Sequence, residues 1–195
     1  MTALIHKILT PKGAYGYLEN RKIYTACRTV LFFLLCVGLY LAGYLTTGTN
    51  RNLLTVVAIL GCLPACKSAV NFIIFIRAKG CSEALREKVH GYDECLQTIY
   101  DMYFTSYQKN YPISHMALKG RILCGITEDA GCSCQDAEKH LEQMLIQEGI
   151  KNVTVNLFSQ EDKYIDRLSR LAELNIDADD QKEEDILRLL FSISL

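Results

Sequence analysis

The sequence predicts an N-terminal transmembrane α-helical hairpin followed by a small soluble α/β domain with elements in the order α-β-β-α-β-α-α. Three observations predict it. No charged side chain occurs from Thr29 to Asn50, Lys67 alone interrupts the run from Asn52 to Ile76, and after Arg77 the composition turns to mixed polar and apolar. A helix needs about 20 mostly apolar residues to cross a hydrocarbon core, and both runs are that long. The expected division is a cytoplasmic N-terminal segment with a juxtamembrane helix (1–28), the hairpin (29–76, spans 29–47 and 53–76) and a cytoplasmic α/β domain (77–195).

Orientation follows from the flanking basic residues. Lys7, Lys12, Arg21, Lys22 and Arg28 precede the first span, Arg77, Lys79, Arg86 and Lys88 follow the second, and the connection holds Arg51 alone. The positive-inside rule then puts both termini in the cytoplasm of a multi-pass inner (cell) membrane protein. Nine cysteines suit a reducing compartment, where they act as small hydrophobes or free thiols. The segment before the first span is too long for the n-region of a signal peptide, so both spans are expected to be retained.

In the first span Gly38 and Ala42 lie four apart with Gly43 beside them, a spacing that lets helix backbones approach closely; the second span is the natural partner. In the second span Gly61, Pro64, Lys67, Ser68 and Asn71 recur at helical intervals as a small or polar stripe. Pro64 should kink this helix, with Ser68 or Asn71 re-satisfying the freed carbonyls. Lys67 is roughly 14 Å deep counted from Ile76, but opposite Phe33 and roughly 7 Å deep if the turn centres near Asn50. At the shallower depth its amine snorkels to headgroup phosphates. The competing reading pairs it with an intramembrane acidic residue of a partner, because neither span contains one. Phe72–Ile76 would then need cover from a cytoplasmic extension of the first helix, Leu18 to Arg28, presenting Leu18, Ile23 and Cys27. Pro11–Gly16 reads as a loop, and residues 1–10 as a short arm.

In the soluble part, Ser82 caps a helix to about Val89. Leu96–Tyr107 alternates with Leu96, Thr98, Tyr100, Met102 and Phe104 on one face. Asn110-Tyr-Pro112 supplies a break, and His115–Thr127 alternates again, giving an antiparallel pair. A helix follows from Cys134 to Glu148, capped by Ser133 and ended by Gly149. Val153, Val155 and Leu157 mark a third strand, and Ser159 caps the next helix. The acidic run Asp177–Asp185 reads as a solvated linker or first turn before a short helix with Ile186, Leu189 and Leu190.

Chemistry-bearing motifs are few. Cys132-Ser-Cys134 opens a helix, where the dipole would lower a thiol pKa, and Cys124 could lie near it. His140 could complete a metal set, but no second ligand pair accompanies it, so no metal and no other cofactor is expected. Asp101, Lys119, Arg121, Glu128 and Asp129 do not fall into the acid-and-lysine pattern of restriction-endonuclease-like domains. Tyr100, Tyr103, Tyr107 and Tyr111 lack surrounding basic residues, and the net charge of −1 argues against nucleic acid. No catalytic residue is assigned. The whole arrangement resembles that of uncharacterised bacterial two-span membrane proteins with a cytoplasmic α/β tail, a likeness of architecture that implies no activity. The expectation is a non-enzymatic hairpin anchor for a cytoplasmic interaction or regulatory domain, in a homo-oligomer or membrane complex. The alternative is a membrane-tethered enzyme or thiol sensor using Cys132 and Cys134.

Overall fold

A computed structural model of the chain describes residues 10–49, 51–106, 109–174 and 180–195. The N-terminal arm 1–9, the turn residue Asn50, Tyr107 at the end of the first expected strand and residues 177–179 of the acidic run lie outside them. Two compact units emerge, one comprising the hairpin (18–78) and the other joining residues 10–17 to 79–195.

The hairpin consists of α1 (Tyr17–Thr47) and α2 (Leu53–Arg77). Both are long and apolar enough to cross a membrane, and only 11% and 17% of their apolar windows are buried. Asn52 caps α2, its side chain accepting from Thr55 N. The helix is unbroken through Pro64. Residues 18–28 are helical and continuous with the apolar part of α1. Their packing differs: Leu18, Thr25 and Thr29 are buried while Ile23 and Cys27 are exposed.

The seam between the helices is the expected one only in part. A side chain on Gly43 would meet Asn52 and Leu54 of α2 at 2.7–2.8 Å, but Gly38 has nothing within 4 Å and Ala42 is exposed. Gly43 therefore serves the seam as expected, and the other small residues that let the helices approach are on α2. Ala58, Ala65 and Ser68 are buried, and a Cβ on Gly61 would lie 3.1 Å from Cys36 Sγ. Opposite them, Thr25, Thr29, Cys36 and Gly43 line α1. Spacings of three and four residues on α2, and of four and seven on α1, are those of a coiled pair. The contacts Gly43–Leu54, Cys36–Gly61 and Thr29–Ser68 step symmetrically about a centre between Gly48 and Thr49. That register sets Lys67 level with Val30, not Phe33, and so within roughly 3 Å along the axis of Arg28.

In the second unit, α3 (Glu83–Val89) and a 3₁₀ turn (His90–Tyr92) lead into a four-stranded sheet of order β1-β2-β3-β4. Its strands are β1 (Gln97–Thr105), β2 (Asn110–Lys119), β3 (Ile122–Ile126) and β4 (Thr154–Phe158). The first three are antiparallel, and β4 is parallel to β3 after the crossover helix α4 (Cys134–Gln147). α5 (Glu161–Glu173) and α6 (Asp180–Ile193) complete the chain. The order is therefore α-β-β-β-α-β-α-α, one strand more than expected. Two physical causes account for the difference. Gly120, at φ +61, turns the chain tightly between β2 and β3, dividing what alternation alone reads as one strand. Pro112 does not break the sheet; it sits near the start of β2, paired in register with Tyr103.

Helices cover both faces of the sheet. α4 and α6 enclose one core (Ile99, Met102, Phe104, Ile113, Met116, Leu118), and α3 and α5 enclose the other (Tyr100, Ala117, Cys124, Ile126, Tyr164). The expected single face of β1 is split. Leu96 and Tyr100 belong to one core, Met102 and Phe104 to the other. The reversal falls at Asp101, whose φ of +56 breaks strand alternation. β2 reverses beside it, Ile113 and Met116 sharing a core although they are three residues apart. Asp tolerates the left-handed region better than most residues, and here its buried carboxylate accepts from Cys81 N at 2.7 Å.

Residues 10–17 and the C-terminus dress the outer edge of β1. Tyr100 N donates to Gly13 O, Leu195 N donates to Tyr103 O, and Lys12 Nζ donates to the carbonyls of Phe191 and Ser194. An edge strand covered this way presents fewer free backbone groups to other chains. Ser82 and Ser133 cap their helices as expected, whereas Gln160, not Ser159, occupies the cap of α5. The acidic run is not wholly solvated, because Glu183 is buried and accepts from Gly120 N in the β2–β3 turn.

Candidate functional site

At the open end of the hairpin, α1 delivers Thr25, Arg28 and Thr29 to a level where α2 delivers Ser68. Thr29 Oγ1 donates to Thr25 O at 2.8 Å, the usual back-bond of a helical threonine. That spends its only proton, so in the 2.8 Å contact between Thr29 and Ser68 the serine is the donor. Ser68 Oγ in turn accepts from Arg28 Nε at 3.2 Å. The three bonds run one way, from guanidinium to serine to threonine to backbone. The Arg28 and Arg21 guanidiniums lie 5.7 and 5.8 Å from the centroid of the Tyr24 ring.

The expected polar stripe of α2 is thereby divided. Ser68 is buried and turned to α1, Asn71 is half-buried, and Pro64 and Lys67 are exposed. Ser68 does not repair the carbonyl freed by Pro64, since its bonds go across the seam. Lys67 meets no carboxylate among the described residues. Periodicity in one helix could not separate these roles, because they depend on the partner's register.

The α/β unit holds a second polar cluster that sequence reasoning missed. His115 of β2 is fully buried; its Nδ1 lies 2.7 Å from Tyr164 Oη of α5, and its ring packs 4.5 Å from that of Tyr100. Tyr100 Oη donates to Asp93, which also receives Thr98 Oγ1 and lies 2.9 Å from His90 Nδ1. Burial pushes the pKa of His115 down to about 4, only partly opposed by Asp93, so the ring is neutral near pH 7. Burial alone would raise Asp93, but the bonds from His90, Thr98 and Tyr100 outweigh it and bring its carboxyl below the usual range. Burial raises Tyr164, and burial with Asp93 raises Tyr100, so both keep their protons. His115 Nε2 is buried with no polar partner among the described residues. Its inner members His115, Tyr100 and Tyr164 are buried and order the core between α5 and the sheet, while Asp93 and Thr98 are half-buried and His90 is exposed at its outer end. Alternation marked Met116 and Leu118 as the inner face of β2, and only a sheet covered on both sides makes His115 interior as well.

The thiol site is also changed. Cys132 and Cys134 are half-buried, and burial raises both pKa values, with acidic neighbours adding to it (Asp129 and Asp136 for Cys132, Glu138 for Cys134). This is the opposite of the activation expected from the helix start. Cys124 does not join them. It lies in the core under α5, while Cys132 and Cys134 pack on the core under α4. His140 stacks on Tyr111 instead, and no group of three His, Cys, Asp or Glu with the arrangement of a metal site occurs among the described residues. The acids and bases of the nuclease pattern have local partners: Glu128 accepts from Ser82 N, Asp129 from Gly131 N, and Lys119 donates to Ala172 O.

No protein-family model, curated protein or solved structure matches the chain significantly. The architectural likeness to bacterial two-span proteins therefore assigns no family.

Proposed function

We propose that the chain is an integral membrane protein whose hairpin anchors a cytoplasmic interaction or regulatory domain. The observation that carries this reading is the coating of α1 and α2. Leu31, Leu34, Leu45, Leu53, Ile59 and Leu63 are each more than half exposed, an apolar surface far beyond what water tolerates in one patch and suited to lipid. The register supports the same reading of Lys67, which at the level of Val30 reaches the headgroup layer without crossing hydrocarbon. The proposed setting is a cell (inner) membrane with both termini in the cytoplasm, consistent with the basic residues at the open end.

Assembly into a homo-oligomer or a larger membrane complex is part of the proposal. Gly38 and Ala42, unused inside the hairpin, supply a small-residue pair for a neighbouring helix. The thiol-sensor alternative loses its motive once both thiols are raised. Membranes carrying the chain should retain it after alkaline carbonate extraction, and mild-detergent purification should give a mass above one chain plus micelle. Release by carbonate refutes the anchor, and a lone monomer without partner refutes the assembly.

A further inference from the structure

We infer that Arg28 at the base of the hairpin forms a phosphate-binding site for an anionic phospholipid headgroup. This rests on the anchor reading and adds to it a ligand and the residues that hold it. Arg28 is the first charged residue before the uncharged run of α1, so in an inserted hairpin it stands at headgroup level. Its guanidinium is oriented from two sides. Nε donates to Ser68, whose own proton is committed to Thr29, and one face approaches the Tyr24 ring. Nη1 and Nη2 have no partner among the described residues. A planar fork with its stem fixed and its terminal nitrogens open matches two oxygens of a phosphodiester and loses little rotamer entropy on binding.

The surrounding charge favours an anionic lipid over a zwitterionic one. Between residues 18 and 78 the only acidic side chain is Glu19, which pairs with Lys22 at 3.0 Å. The basic residues Arg21, Lys67 and Arg77 flank the same end of the hairpin, and Lys67 is within roughly 3 Å of Arg28 along the axis. A zwitterionic headgroup would bring its own cation into this field. An anionic one, such as phosphatidylglycerol, would not.

The test uses the full chain in mixed vesicles of phosphatidylcholine and phosphatidylglycerol, extracted into mild detergent, with retained lipids counted by native mass spectrometry. The wild type should retain phosphatidylglycerol preferentially. Arg28→Gln should lower that preference about five-fold, the effect of one basic residue near a membrane surface. Arg28→Lys should lower it partly, because charge remains but the fork and the Ser68 bond do not, and Ser68→Ala should weaken it through loss of orientation. Carbonate extraction of each variant reads insertion separately. Carbonate-resistant variants with unchanged preference overturn the site while leaving the anchor. Arg28→Lys equal to wild type overturns the oriented fork, and carbonate release of the wild type overturns both.

Discussion

The neutral, buried His115 gives the α/β domain a stability that depends on pH in a calculable way. An unfolded chain holds this imidazole near its ordinary pKa of 6.5, and the folded one near 4. Between those values the unfolded state binds more protons, so stability rises with pH, is complete above about 6.5 and falls as pH drops towards 4. The full contribution is about 3 kcal/mol, of which about 2 is lost by pH 5. Asp93 and Asp136 titrate below this window, but burial also lowers the more exposed His140 and adds a slope of the same sign, so the part that belongs to His115 is the part His115→Phe removes. His115→Phe removes the titration and the orphaned Nε2 together, at the cost of leaving Tyr164 Oη without its partner. These opposing terms are each about 1–3 kcal/mol, so the variant should be near wild type at neutral pH and lose the His115 part of the slope, about 2 kcal/mol between pH 7 and 5. Urea unfolding of the full chain in detergent, followed by tyrosine fluorescence at pH 7, 6 and 5, measures both. A wild-type stability that is flat over this range, or a slope undiminished in His115→Phe, would refute the burial argument.

Two further outcomes follow from the hairpin and the cysteines. Gly43→Val should destabilise the hairpin by about 1–3 kcal/mol, because its Cβ meets Asn52 and the Cβ of Leu54, whereas Gly38→Val should leave the hairpin intact and reduce self-association. Detergent-denaturation midpoints and cross-linking yields separate the two effects. Alkylation of the native chain near neutral pH, mapped by peptide mass, should modify exposed Cys95 before Cys132 or Cys134; fast modification of Cys134 would restore the thiol-sensor reading.

The hairpin was legible because two long apolar helices are written in long uncharged runs, and its ends were legible from caps and charges. Which faces meet was not. Gly38, Ala42 and Gly43 look equivalent in sequence, and only a turn centred between Gly48 and Thr49 selects Gly43 and leaves the other two outside. In the α/β domain, serine caps and helix periodicity located α3 and α4. The strands misled where alternation reverses, at left-handed Asp101 and at the Gly120 turn, since a period of two carries no mark of its own reversal. The Arg28–Ser68–Thr29 chain joins residues about 40 apart, a distance no local pattern spans. Thr25 and Thr29, four apart on an otherwise apolar helix face, were the available hint.

The proposed hairpin carries α1 and α2 across a bilayer with both ends on one side. An impermeant maleimide applied to sealed vesicles of either orientation tests it on one chain carrying Thr49→Cys at the turn and native Cys95 beyond α2. The thiol introduced at the turn should label only from the outer face, and Cys95 only from the cytoplasmic face. Labelling of both positions from the same side of intact vesicles would contradict the account.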